Sequence, residues 1–277
     1  MDKAQCITVV PAYRAPKDDF ESKSFERTCQ CFHNGMFDAL CIVTHKGVDL
    51  SEYHKIASHC GVEFQVKNYS PRRFKNIHGY NTLMLDPQFY RDFRNYEYML
   101  ICQLDAMILG DNLTSWTEKG YDYIGGPIFA PGHYDSTDLA AVGNGGFCLR
   151  KVSSSIQALG GDGPLEWKSI LGIKRQQNPK FSTRKKILYT IMVASAGRFN
   201  RFVNLLSHWV MEDLYFTYAL QGTPWQLNVP TALEASKFAM DLGPDFWYKA
   251  NGGTLPFGAH KYGAYYPGFY KNFFSKQ

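Results

Sequence analysis

The chain has 277 residues, of which 45% are hydrophobic, 20% charged and 16% aromatic, and its 30 Lys and Arg against 25 Asp and Glu leave a net charge of +5. Such a composition excludes a mainly disordered chain, and the length suffices to bury a sizeable core. The charge is too small to mark a duplex nucleic-acid binder.

The elements can be taken in order. Met1–Gln5 leads straight into an apolar run and has no signal-peptide h-region. Cys6–Val10 reads as a buried strand ending at Pro11, and Phe20–Phe32 as a helix. Ala39–Thr44 is a second strand, and Asp49-Leu-Ser51 opens a helix through about Cys60. Val62–Val66 alternates like a third strand. Phe74–Phe93 reads as helix broken at Asp86-Pro87, because a residue before proline avoids the helical region. Tyr96–Leu104 is a continuous apolar strand ending in Asp105.

The second half is less regular. It has turn signals at Gly125-Gly126-Pro127 and Pro131-Gly132, then Gly143-Asn144-Gly145-Gly146 opening the strand Phe147–Arg150. Helices are predicted over Leu206–Leu220 and Ala232–Asp241, followed by a glycine- and aromatic-rich tail. Strands alternating with helices predict an α/β fold with a mostly parallel sheet covered on both faces. We read one domain over 1–277, in two halves of about 1–110 and about 111–277. The longest apolar run, Ile187–Ala194, is too short to span a bilayer. The seven cysteines form no C-x-x-C pair, which argues against a zinc ribbon and for a reducing, cytoplasmic setting.

In open parallel sheets, ligands bind beyond the carboxyl ends of strands. Two polar groups fall at such ends, Pro11-Ala12-Tyr13-Arg14 and Gln103-Leu104-Asp105. An Asp closing a buried strand is costly unless paired or bound to a metal; the plain alternative is a cap or turn former. The chain has neither G-x-G-x-x-G after the first strand nor G-x-x-x-x-G-K-[ST], which disfavours dinucleotide dehydrogenases and P-loop enzymes.

With these strand ends, the motifs Gly79-Tyr-Asn81, Tyr121–Gly125, Gly143–Phe147, Glu212-Asp213 and Pro256–His260 come in an order that resembles one group of GT-A glycosyltransferases from bacterial polysaccharide and lipopolysaccharide loci. The resemblance covers nearly the whole chain and is weakest from about Gly160 to Asn204. It implies a GT-A fold (Rossmann-like), with a nucleotide-sugar-binding half over about 1–110 and an acceptor-side half over about 111–277, and transfer of a sugar from a nucleotide-sugar donor, with UDP favoured, to a glycan hydroxyl. It also implies a divalent metal, Mn2+ or Mg2+, on the donor diphosphate, held by Asp105 and the late His260. The sequence departs from the family's Asp-x-Asp pattern, since Gln103 stands where the first Asp would be. His260 can equally be a turn histidine.

Donor-binding candidates are Pro11, Tyr13, Arg14, Arg72, Arg73, Lys75, Asn81, Gln103, Asp105 and Lys261. Tyr13 could stack on the base, and the cations could meet the diphosphate or be solvated surface charge. Gly145 and Gly146 let backbone approach a sugar closely, and Asn144 offers both a donor and an acceptor to its hydroxyls. An inverting transfer needs a carboxylate base, for which the resemblance implies Asp213, with Glu212 as alternate. The pair could otherwise be a helix N-terminal charge pair.

Between Glu166 and Glu212 stand nine positives (Lys168, Lys174, Arg175, Lys180, Arg184, Lys185, Lys186, Arg198 and Arg201) and no acid. Without them the remainder holds 21 basic against 25 acidic residues. Apolar residues are interleaved with these charges, a pattern that suits docking on an anionic membrane and hence a lipid-linked acceptor. It also suits an anionic polysaccharide, or a solvated helical face. Two other functions stay open: a sugar-phosphate nucleotidyltransferase, and a non-catalytic glycan-binding module using the aromatic tail Tyr262–Tyr270.

Overall fold

A computed structural model of the protein describes residues 4–130, 133, 135–136, 139–160, 211–265 and 268–270. The basic stretch Lys168–Arg201, together with His208 and Trp209, lies outside the described residues.

The centre is a six-stranded sheet built from β1 (Ala4–Pro11), β2 (Ala39–Thr44), β3 (Gln65–Asn68), β4 (Tyr96–Cys102), β6 (Tyr123–Gly125) and β9 (Phe147–Lys151). Its order is β3-β2-β1-β4-β9-β6, parallel from β3 to β4 and antiparallel from β4 through β9 to β6. Alternate residues feed two cores. Ile7, Val9, Met99 and Ile101 enter one, with Leu83, Phe89 and Tyr90. Cys6, Val10, Leu100 and Cys102 enter the other, with Phe25, Cys29 and Tyr53. The helices α1 (Asp19–His33) and α2 (Ser51–His59) thus cover one face, while α3 (Ile77–Met84), α4 (Pro87–Arg91) and α5 (Val152–Gly160) cover the other. The mixed α/β architecture with helices on both faces is the fold class expected from the sequence.

Several boundaries differ, each for a local reason. The third strand is Gln65–Asn68 rather than Val62–Val66, because the Val62 amide is spent on the Ala57 carbonyl at the end of α2. The stretch from Phe74 to Phe93 is two short helices capped by Asn76 and Asp86, preceded by a 3-10 turn at Pro71–Phe74. β4 stops at Cys102, and Gln103 accepts the Ala106 amide in a tight turn. The helix from Ala232 ends at Phe238 instead of Asp241, because Ala239–Met240 (β10) pairs with Gly258–His260 (β11). Of the helix expected over Leu206–Leu220, the part from Glu212 is one α-helical turn, Glu212–Leu214, running into a π-helical turn, Tyr215–Ala219.

A second sheet, β10-β11-β5, contains Ala106–Ile108 (β5) and β11 in antiparallel register, with His260 opposite Ala106. That register brings His260 beside Asp105, in the turn that follows β4. A separate two-stranded sheet pairs β7 (Pro127–Phe129) with β8 (Leu139–Val142). The seven cysteines are free thiols, all buried except the half-buried Cys60. Among the described residues, no helix is long and apolar enough to cross a membrane.

Candidate functional site

β1 and β4 are neighbours in the sheet while β2 lies on the far side of β1, so the crossovers diverge between β1 and β4. Such a switch point opens a crevice at the carboxyl ends of the strands. The crevice is present as a cleft of about 430 Å³. Its walls include Pro11, Tyr13, Arg14 and Lys17 after β1, Lys75 and Tyr80 near α3, and Gln103 and Asp105 after β4. Tyr13 is 54% exposed.

Arg14 is less free than its position suggests. Its guanidinium makes a bidentate pair with the buried Glu21, at 2.6 and 2.8 Å, and sits over the Tyr13 ring at 5.0 Å. Burial alone would raise the Glu21 carboxyl, but Arg14 and Lys17 bring it below its ordinary range. Lys75 lines the cleft, whereas Arg72 does not, and Arg73 is paired with Asp86 at 2.8 Å. Asn81 also points elsewhere. It is 1% exposed, donates to the Met211 sulfur and accepts the Glu212 amide at 3.4 Å.

Beside Gln103 and Asp105 of the cleft wall, His260 stands between two carboxylates. Nε2 is 3.4 Å from Asp105 Oδ1 and 3.3 Å from Gln103 Oε1, and Nδ1 is 3.6 Å from Asp241 Oδ2. Burial would depress the imidazole, but the two carboxylates outweigh it and hold the pKa up at about 9. Burial likewise pushes Asp105 up, and the neighbouring His260, helped by Lys261, brings it below its ordinary value. Lys261 is the described non-glycine residue with positive φ, 54°.

The glycine loop joins this group to the acidic turn. Asn144 donates to Asp241 Oδ2 at 2.8 Å and accepts the Gly146 amide at 2.9 Å. A side chain at Gly146 would meet the His260 ring at 2.1 Å, and one at Gly145 would meet Glu212 Oε1 at 2.0 Å. Glycine is required at both places because imidazole and carboxylate occupy the space of a Cβ. The half-buried Asp213 accepts the Leu214 amide at 2.8 Å; burial and the charge of Asp241 raise its carboxyl, and the Leu214 and Gly145 amides oppose them. Glu212 instead turns inward, 4% exposed, with Oε2 2.7 Å from Arg150. Burial pushes its carboxyl up to about 7, Arg150 opposing and Asp213 assisting.

The structure therefore unites Asp105, Gln103 and His260, and links them through Asp241 and Asn144–Gly146 to Asp213. Sequence reasoning missed Asp241 and Arg150. A charge inside the apolar run Phe147-Cys-Leu-Arg150 was the available signal for Arg150, since an unpaired buried cation is not tolerated. Asp241 carried no such signal. Among the described residues, no group of three or more His, Cys, Asp or Glu is placed to hold a metal. The fit of a divalent ion thus depends on the Asp105–His260 pair with the Gln103 amide oxygen, a set of hard oxygen donors and one imidazole.

Solved structures similar to this chain include a galactosyltransferase, LgtC, in complex with donor and acceptor sugar analogues, at 10% identity and a TM-score of 0.44, covering 92% of this chain and 86% of that one. Another is core-mannan synthase A from Aspergillus fumigatus in an Mn/GDP form, at 9% identity and a TM-score of 0.40, covering 91% and 86%. Likeness at this level assigns no substrate. No curated protein sequence matches the chain. A family model described as "Protein of unknown function (DUF5672)" matches residues 63–260, a span that holds Gln103, Asp105, Asn144–Gly146, Arg150, Glu212, Asp213, Asp241 and His260, and the chain belongs to that family.

Proposed function

We propose that the protein is a metal-assisted glycosyltransferase that moves a sugar from a nucleotide-sugar donor, with UDP favoured, to a hydroxyl of a glycan acceptor. The observation that carries this reading is the Asp105–His260 pair beside a cleft at the β1/β4 switch point, connected through Asp241 and Asn144 to the glycine loop against which Glu212 packs.

In this reading the nucleotide base stacks on Tyr13, and Lys75, Lys17 and Lys261 face the diphosphate. Asp105, His260 and the Gln103 amide oxygen would hold a divalent ion, which when bound neutralises charge on the diphosphate leaving group. Asp241 stands behind Nδ1 of His260 and aims Nε2 at the cleft, as carboxylates behind metal-binding histidines do. Asn144 and the exposed backbone of Gly145 and Gly146 meet sugar hydroxyls. Asp213 accepts the proton of the acceptor hydroxyl as its oxygen attacks the anomeric carbon. The bond to the diphosphate breaks on the opposite face, its electron pair leaves with the diphosphate, and configuration inverts.

The test is a screen of UDP- and GDP-sugars for hydrolysis with MnCl2 and with EDTA, alongside calorimetry with UDP. Metal-dependent consumption of one donor is expected. Absence of nucleotide binding would overturn the reading and favour a glycan-binding module. The segment 168–201 supports a second element of the proposal on charge alone, peripheral docking at a cytoplasmic anionic membrane face that presents a lipid-linked acceptor. Flotation with phosphatidylglycerol vesicles tests it, and equal recovery after neutralising those nine charges would remove it.

A further inference from the structure

The turn that carries Asp213 is held from inside the protein by a single cation. Arg150 lies on β9 with 0% of its surface exposed, a costly place for a guanidinium unless its N–H groups are met. Nε donates to the Cys148 sulfur at 3.1 Å, Nη1 to the Tyr90 hydroxyl at 2.6 Å, and Nη2 to the Tyr123 hydroxyl at 3.1 Å. Nη2 also pairs with Glu212 Oε2 at 2.7 Å. The rings of Tyr123 and Phe216 lie against the guanidinium, at 4.7 and 5.4 Å.

A buried ion pair is a poor source of stability, since its desolvation offsets most of its attraction. What this pair provides is direction. With Oε2 clamped by Arg150, the other oxygen of Glu212 is pressed against Gly145, leaving no room for a Cβ there. The next residue, Asp213, accepts the Leu214 amide at 2.8 Å, and the nearby Gly145 amide also favours its ionised carboxylate. Arg150 thus fixes Glu212 against the same glycine whose amide acts on Asp213.

We infer that Arg150 is a positioning residue for Asp213, acting through Glu212 and the Gly145 backbone without touching substrate. The inference rests on Asp213 being the base of the proposed transfer. Arg150 also lowers the Asp213 carboxyl through its charge, a smaller influence than burial.

The experiment compares wild type with Arg150→Met, Arg150→Lys and Tyr123→Phe. Three quantities are read: the 13C-carboxyl NMR titration of Asp213, turnover of the donor found in the nucleotide-sugar screen, and the circular-dichroism melt. In Arg150→Met the Asp213 midpoint should move to higher pH, with kcat lower by ~10²-fold and donor KM within about twofold of wild type. Arg150→Lys keeps the charge but loses the planar fork, so the midpoint should hold while kcat still falls. Tyr123→Phe loosens the clamp in a chain that keeps both charges and should lower kcat by a smaller factor. If Arg150→Met does not fold, Tyr123→Phe and Arg150→Lys decide. A folded Arg150 variant with wild-type titration and wild-type kcat would overturn the inference, as would unchanged kcat in both of those milder variants. Full turnover by Asp213→Asn would sink the base assignment and this inference with it, whereas an inactive Asp213→Asn beside fully active Arg150 variants would sink this inference alone.

Discussion

Oδ1 of Asp105 lies 3.4 Å from Nε2 of His260, across the antiparallel register that sets His260 opposite Ala106. Neither residue is near the other in sequence. Asp105 lines the cleft at the strand ends, and the pair anchors the first two predictions.

Asp105→Ala removes the carboxylate that the proposed metal needs. The side chain is 39% exposed, so the chain should still fold, with its melting temperature lowered by the loss of the His260 pairing. Donor hydrolysis should fall to background, and Mn2+ titration followed by electron paramagnetic resonance should show no site. Undiminished turnover would remove Asp105 from the mechanism.

The same pair makes stability depend on pH in metal-free protein. The His260 pKa is raised to about 9 by carboxylates that outweigh burial, against about 6.5 in an unfolded chain. The stabilisation is therefore fully present below pH 6.5 and is lost as pH rises through about 9, at most ~3 kcal/mol in all. Urea midpoints in EDTA should decline across that window in wild type. His260→Asn should show no such decline.

Two adjacent acids should behave differently. Asp213→Asn is expected to lower turnover by ~10²–10⁴-fold with UDP affinity unchanged, as loss of a general base does. Glu212 ionises with a pKa of about 7 when folded and about 4.5 when unfolded, so wild type loses stability as pH rises between those values. Glu212→Gln cannot ionise. Its urea midpoint should match wild type near pH 5 and exceed it at pH 8.

Gly146→Ala would place a methyl 2.1 Å from the His260 ring, so the imidazole has to move. A cost of ~1–3 kcal/mol in stability is expected, as for other overpacked sites. Mn2+ affinity should fall by at least ~10-fold, since the ligand would be displaced from Asp105. Calorimetry with MnCl2 reads the second effect directly.

The parallel half of the fold was legible because its signals are local. Ala39–Thr44 is a run of apolar and β-branched residues buried at every position, and its boundaries are those read from the sequence. Asp86-Pro87 breaks the helical stretch where the chain breaks it, because proline restricts the residue before it. Strand ends in a parallel sheet also mark where ligands lie, which is why Tyr13, Gln103 and Asp105 were found and do line the cleft. Asn81 and Arg14 carried the right chemistry for a ligand, yet their partners proved to be Glu212 and Met211 for one and Glu21 for the other.

By itself, then, the sequence determined the class of fold, the ends of β1 and β4 as the place where a cleft opens, and the residue types that line it. Backbone propensity, apolar period and proline sterics act over a few residues, so they can be read from a few residues. Only the tertiary structure decided which of those side chains face one another. Asp241 reaches His260 and Asn144 because β10 replaces the end of an expected helix, and Arg150 turns Glu212 away from the cleft because three elements close around its guanidinium. Burial and pairing depend on distances between segments far apart in the chain, and those exist only once the sheet has formed.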